Sequence, residues 1–143
     1  MPLKLHYIKN LNNLDSTQLE RLRELTFGPA GGMYNQIGSV MKSKDEKKEY
    51  RFVLAKHDDY IVGWLLADIM RFENIKIAIV GTFVSPDFRQ KGIGRQIIDR
   101  AIEELKKEGV QGIRVNIHDD ASFKLYNKYN PFKIFYDYWG INI

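Results

Sequence analysis

Apolar and polar positions alternate from Leu3 to Ile8, the period-two pattern of a half-buried strand. Leu19, Leu22 and Leu25 then recur at helical spacing up to Phe27, behind Asp15-Ser16-Thr17, whose short polar side chains suit an N-cap. Gly28-Pro29-Ala30-Gly31-Gly32 ends that helix, and a shorter one is predicted from Tyr34 to Lys42. Arg51 to Lys56 and Ile61 to Met70 read as strands joined through His57-Asp58-Asp59-Tyr60 in a hairpin. After Asn74 the run Ile75 to Val84 is apolar almost throughout, as suits a central strand covered on both faces.

The strongest pattern follows. Ile93, Ile97, Ile98, Ala101, Ile102 and Leu105 form one apolar stripe, while Arg95, Asp99, Arg100, Glu103 and Lys106 are expected to face water. Glu108-Gly109 closes this helix with a left-handed cap. Ile113 to Ile117 is a predicted strand, Ala121 to Tyr129 a short helix, and Phe132 to Trp139 a single aromatic-rich terminal strand. Strand, helix, strand from Ile75 to Ile117 makes a βαβ unit, so the sheet is at least partly parallel. The prediction is one α/β (α+β) domain spanning residues 1–143, with a mixed central sheet flanked by helices.

Length supports that reading, since 143 residues suffice for one hydrophobic core. There is no cysteine, which removes disulfides and thiolate chemistry and fits a cytoplasmic protein. Three histidines, His6, His57 and His118, lie far apart, so no metal is expected. No apolar run is long enough to span a bilayer, and the first residues lack the apolar core of a signal peptide; no membrane association is expected. The net charge is +4. Lys42, Lys44, Lys47, Lys48 and Arg51, mixed with Asp45, Glu46 and Glu49, read as a solvated segment. A second basic group, from Arg89 to Arg100, points to an anionic ligand rather than to nucleic acid.

Within that group, Arg89-Gln90-Lys91-Gly92-Ile93-Gly94 joins the apolar strand to the long helix. A helix N-terminus leaves backbone N–H groups unpaired and carries partial positive charge. Glycines allow close approach to that backbone, and Arg89, Lys91 and Arg95 add charge around it. The competing reading is that Gly92 and Gly94 only ease a strand-to-helix turn. The buried strand, the strong helix and the basic flanks together favour a phosphate seat. It is not a P-loop, and Ile97 stands where a dinucleotide fingerprint has its third glycine.

The stretch V-S-P-D-F-R-Q-K-G-I-G-R-Q-I-I resembles the acetyl-CoA signature of the GNAT N-acetyltransferase superfamily, (Gln/Arg)-x-x-Gly-x-(Gly/Ala). Asp119 to Phe132 resembles a second, looser family pattern, Asn-x-x-Ala-x-x-x-Tyr-x-Lys-x-Gly-Phe, with Tyr126 and Lys128 in place. The resemblance implies a GNAT-like fold and an acyltransferase that moves an acetyl group from acetyl-CoA to an amine. It implies that the pyrophosphate rests on the amides of Gln90, Lys91, Gly92, Ile93, Gly94 and Arg95. The pantetheine arm would pair with the strand end at Phe83 and Val84, and the amide of Val84 or its neighbour would hold the oxyanion. Gly81 would suit a bulge that opens the sheet there, or merely close packing.

The resemblance also makes Tyr126 the general acid that protonates the leaving thiolate; Phe123, Tyr126 and Tyr129 at helical spacing equally describe core aromatics. The carboxylate that many members carry on the strand before the glycine loop is missing, Val80, Gly81 and Thr82 standing there. Asp68, Glu73, Asp137 and His118 are the remaining candidates for the base, and none is singled out. Asp119 replaces the usual Asn beside the cofactor, Ser122 an Ala, and Asn130-Pro131 a Gly. The acceptor, a small-molecule amine or a protein N-terminus or lysine, would be walled by Gly28 to Tyr34 and by Phe135-Tyr136-Asp137-Tyr138-Trp139. Those aromatics equally suit a core face or a homodimer contact, and the short C-terminus leaves room for an edge borrowed from a partner chain. The alternative to an enzyme is a CoA-binding or interaction module that keeps the fold with weak catalysis.

Overall fold

The computed structural model describes residues 3–27 and 48–143. The predicted helix at Tyr34 to Lys42 and the loop from Gly28 lie outside them. Strand β1 (Leu3–Ile8) leads through a 3₁₀ turn into α1 (Ser16–Phe27). Asp15 caps α1 reciprocally: its Oδ1 accepts from the Gln18 amide at 2.8 Å, and Gln18 Oε1 accepts from the Asp15 amide at 3.3 Å. Then come β2 (Glu49–His57), β3 (Tyr60–Phe72) and β4 (Ile75–Val84) as consecutive antiparallel hairpins. Asp58 and Asp59 both have positive φ, the backbone a two-residue hairpin turn requires. Helix α2 (Ile93–Lys107) crosses over to β5 (Gly112–Asn116), α3 (Asp120–Tyr126) runs into a 3₁₀ turn, and β6 (Phe132–Phe135) and β7 (Tyr138–Asn142) finish the chain.

Among the described residues, seven strands form one mixed sheet in the order β1-β2-β3-β4-β5-β7-β6, with β4 and β5 as its parallel pair. One face buries the α2 stripe, Ile93, Ile97, Ile98, Ala101 and Leu105, against Val53, Leu65, Ala78 and Val80. The other packs Leu22 and Leu25 of α1 on Phe52, Leu54, Trp64 and Leu66. On β4, Ala78 and Val80 are buried under α2, while Ile79, Gly81 and Phe83 on the opposite face are partly buried.

The single strand expected from Phe132 to Trp139 is instead two strands that turn at Tyr136-Asp137. Tyr136 takes the left-handed conformation at φ 50°, and a tyrosine there gives no turn signal in sequence. Arg100 faces water only in part, its side chain 35% exposed: its Nη1 donates to Leu5 O at 3.2 Å and its Nε to Glu104 at 3.1 Å.

Arg51, expected in a solvated segment, is part-buried in β2 and forks onto Glu108, with Nη2 to Oε1 at 2.8 Å and Nε to Oε2 at 2.9 Å. Tyr7 of β1 also donates to that carboxylate, and Lys76 Nζ donates to Glu108 O at 2.7 Å. Glu108 sits at the end of α2, where Gly109 at φ 84° lets the Val110 amide reach Leu105 O and its own amide reach Lys106 O. The Glu108 carboxylate thereby ties the C-terminus of α2 to β1 and β2, and its backbone carbonyl ties it to β4.

Hydrogen bonding from Arg51 holds the Glu108 carboxyl below its ordinary 4.5. That stabilisation is complete above 4.5 and is lost as pH falls through the lowered folded value. Glu108→Gln is expected to cost ~1.5–3 kcal/mol in urea unfolding near neutrality, with the gap to wild type closing on acidification below 4.5. A gap unchanged by acid would mean that the ion pair contributes nothing.

Candidate active site

Strands β4 and β5 pair at only three positions, Ile77↔Gly112, Ala78↔Ile113 and Ile79↔Arg114. Beyond them β4 continues to Val84 while β5 follows β7. The register between β3 and β4 runs unshifted through Gly81, so the opening comes from β5 leaving, and the bulge expected at Gly81 is absent. Backbone groups on an antiparallel strand point alternately to its two sides. The Ser85 amide donates to Val62 O of β3 at 2.8 Å, so the groups of Phe83 also face β3 and those of Thr82 and Val84 face the gap. Lys76 O, which accepts from the Gln111 amide at 2.8 Å on the β5 side, fits the same alternation.

The gap opens into a cleft of ≈ 1020 Å³ lined by the end of β4, the Arg89 to Arg95 turn and the start of α3. Arg89, Gln90, Gly92, Ile93, Gly94 and Arg95 all line it, as do Phe83, Val84 and Asp119. Lys91 does not line it; its ammonium lies 5.3 Å from the Phe88 ring, itself a lining residue. The two glycines have different work. Gly92 caps α2 at φ 77° with open space where a Cβ would stand, whereas a Cβ on Gly94 would come within 3.2 Å of Leu125 Cδ1. Gly94 is thus small so that α3 can pack, and Gly92 is glycine for its backbone. Gln90 also has positive φ, 61°. No side chain caps α2, so its first amides remain unpaired beside the cleft.

At α3 the opposite holds. Asp119 caps the helix, accepting from the Ser122 amide at 2.7 Å, and Ser122 Oγ accepts from the Asp119 amide at 3.1 Å. These bonds hold the Asp119 carboxyl below its ordinary range. Its charge is turned onto its own helix, which accounts for an acid where the family pattern has Asn. His118 is exposed beside it, with Nε2 3.4 Å from Asp119. Asn130 does take the left-handed conformation, φ 54°, in the glycine's place.

Tyr126 is 4% exposed and packed in the α2-side core. Burial raises its phenol above the ordinary value. The nearby Thr82 hydroxyl opposes that shift, yet Thr82 Oγ1 is buried outside hydrogen-bonding geometry with any group. Thr82 lines the cleft, whereas Tyr126 lies in the core behind its wall. Thr82 was missed in the sequence; its signal was a lone hydroxyl in an apolar run. Arg89 Nε donates to Val84 O at 2.9 Å, and its guanidinium lies 5.3 Å from the Phe83 ring. Phe83 thus offers the cleft its ring and Val84 its backbone.

Of the candidate bases, Glu73 lies in the β3–β4 turn at the end of β4 away from the gap, whereas Asp137, in the β6–β7 turn, accepts through its backbone carbonyl from the Ile117 amide at 2.8 Å, at the end of β5 that parts from β4. Asp68 is half-buried in β3, directly across from Ile79. The terminal aromatics Phe135, Tyr136 and Tyr138 are exposed. Among the described residues, no cluster of His, Asp or Glu could hold a metal, and no helix is long and apolar enough to cross a membrane.

Solved structures share this architecture. PaiA N-acetyltransferase from Thermoplasma acidophilum, in complex with coenzyme A, superposes with a TM-score of 0.66 at 17% identity, over 99% of this chain and 98% of that one. An aminoglycoside acetyltransferase from an uncultured soil metagenomic sample, in complex with sisomicin, gives 0.67 at 20% identity over 94% of both chains. The ribosomal-protein-S18-alanine N-acetyltransferase from Escherichia coli gives 0.65 at 15%, over 97% and 91%. No curated protein sequence matches. The model of the acetyltransferase (GNAT) family matches residues 17–130. With the parted strands and the glycine turn at their mouth, this match makes the chain a member of the GNAT acetyltransferase family.

Proposed function

We propose that the chain, as one N-acetyltransferase domain over residues 1–143, transfers an acetyl group from acetyl-CoA to a primary amine by direct attack. The parting of β4 from β5 directly above an uncapped helix N-terminus carries the reading. Gly92, Gly94 and the amides from Gln90 to Arg95 would seat the pyrophosphate, with Arg89, Lys91 and Arg95 as counter-charge. The gap-facing groups of Thr82 and Val84 would hold the pantetheine arm like an added strand, and one of their amides would receive the oxyanion. Phe83 would pack its ring at the entrance, and Asp119 would keep α3 in place at the cleft wall. Tyr126 would give the leaving thiolate its proton, through a small movement at Thr82. A phenol held neutral by burial is suited to that task.

Two of the three similar structures name acceptors, an aminoglycoside and the alanine of ribosomal protein S18, which differ in kind, and this chain's own is a matter for assay. A catalytically weak CoA-binding module is the second reading, favoured by the cover over Tyr126 and by the absence of a carboxylate on β4. Calorimetric titration with acetyl-CoA, CoA and ATP separates the cases. Acetyl-CoA is expected to bind and ATP to be ignored; binding without thiol release to any amine supports the module.

Gly92→Glu is expected to abolish acetyl-CoA binding, because it adds an anion and a strained side chain where φ is 77°. Normal binding by the folded variant would remove the glycine turn from the site. Tyr126→Phe is expected to slow transfer by ~10²–10⁴-fold while leaving acetyl-CoA affinity nearly unchanged. Equal turnover in the variant would dismiss Tyr126 as the acid.

A further inference from the structure

The side of the gap that faces β4 is the end of β5 and the residues that follow it. Carried past the last pair, Ile79↔Arg114, the parallel register sets His118 level with Phe83. The Ile117 amide still donates to Asp137 O at 2.8 Å, so the chain keeps to the far side of the gap as far as that residue. His118 then lines the cleft together with Thr82, Phe83 and Val84. An arm added to β4 as a strand would lie ~4.8 Å from it, in the space between that edge and His118.

Two departures from the family pattern converge on this residue. Ser122 stands where the pattern has Ala, and its Oγ accepts from the amides of both His118, at 3.0 Å, and Asp119, at 3.1 Å. Asp119 stands where the pattern has Asn. Its Oδ1 accepts from the Ser122 amide at 2.7 Å, while its Oδ2 lies 3.4 Å from His118 Nε2. The Ser122 bonds hold that carboxyl below its ordinary range, so a full negative charge stands beside the ring. Ser122 thus fixes the backbone of His118 and Asp119 its imidazole. An imidazole with Nε2–H turned to a carboxylate presents the lone pair of Nδ1.

We propose that His118 is the base of this site, with Asp119 as its positioning residue. The inference rests on the transferase reading, and it answers the third departure, the carboxylate missing from β4. His118 is the one histidine among the residues that line the cleft, and imidazole is the side chain suited to taking and releasing a proton near neutrality. The other charged groups on the cleft wall are Arg89 and Arg95 at the glycine turn and Asp120 and Lys124 on α3. The incoming R–NH₃⁺ gives one proton to Nδ1, which returns it to solvent. The neutral nitrogen bonds to the acetyl carbon as the carbon–sulfur bond breaks, and the sulfur keeps the electron pair and gains the Tyr126 proton. The second nitrogen proton restores the Tyr126 phenol through water. Amide, thiol and one released proton result.

The test compares wild type, His118→Ala and Asp119→Asn in acetyl transfer to sisomicin, spermidine and a peptide with a free N-terminus, with acetyl-CoA affinity measured separately. His118→Ala is expected to lower kcat/KM by ~10²-fold or more, with acetyl-CoA affinity held within about twofold. Imidazole added to this variant should recover part of the rate, which a merely structural role would not allow. Asp119→Asn keeps an equally good helix cap and should lower kcat by a smaller factor, with acetyl-CoA affinity unchanged. Undiminished transfer by His118→Ala would overturn the assignment, as would a loss that imidazole leaves untouched or that acetyl-CoA affinity shares in full. Full activity in Asp119→Asn would overturn the positioning role. Failure of wild type to bind acetyl-CoA, or to acetylate any of the three amines, would overturn the transferase reading and the base together.

Discussion

A strand whose backbone groups face no partner is the constraint around which the rest is arranged. β4 spends one edge fully on β3, but its other edge meets β5 for only three residue pairs. Unpaired backbone N–H and C=O groups in an enclosed place are costly, and the fold covers only part of the deficit, with Arg89 Nε on Val84 O. β5 pairs with β7 along all five of its residues but with β4 through only its first three, so its last two residues follow β7 away from β4. Behind the gap, the Gln111 amide on Lys76 O fixes where the two strands meet, and the Arg51–Glu108 pair fixes the end of the helix that delivers β5. The opening is therefore built into the topology and does not depend on a loop.

The two helix N-termini at the mouth are treated differently, and the difference directs the ligand. α3 is capped from within by Asp119 and Ser122, so its terminal charge is already answered. α2 starts at a glycine with no cap, between Arg89 and Arg95. An anion entering the cleft finds an uncapped N-terminus at α2, whereas at α3 the Ser122 amide is already taken by the Asp119 carboxylate. Asp119 sharpens this preference, because its carboxylate is bound to its own helix and still repels an anion from α3.

Much of the fold was legible in the sequence because its elements obey local rules. β1 and α2 carry clean periodicities of two and 3.6, and the Asp58-Asp59 and Gly109 positions signal a turn and a cap by composition. The glycine turn was legible as a phosphate seat for the same reason. The division of labour between Gly92 and Gly94 was not, since it depends on Leu125, thirty-odd residues away. The terminal hairpin was hidden because Tyr136 carries no turn chemistry. Arg51 and Arg100 read as solvated because their partners, Glu108 and the β1 backbone, are distant in sequence. Alternation on β4, which faces Thr82 and Val84 into the gap and Phe83 toward β3, requires knowing which neighbour each residue bonds.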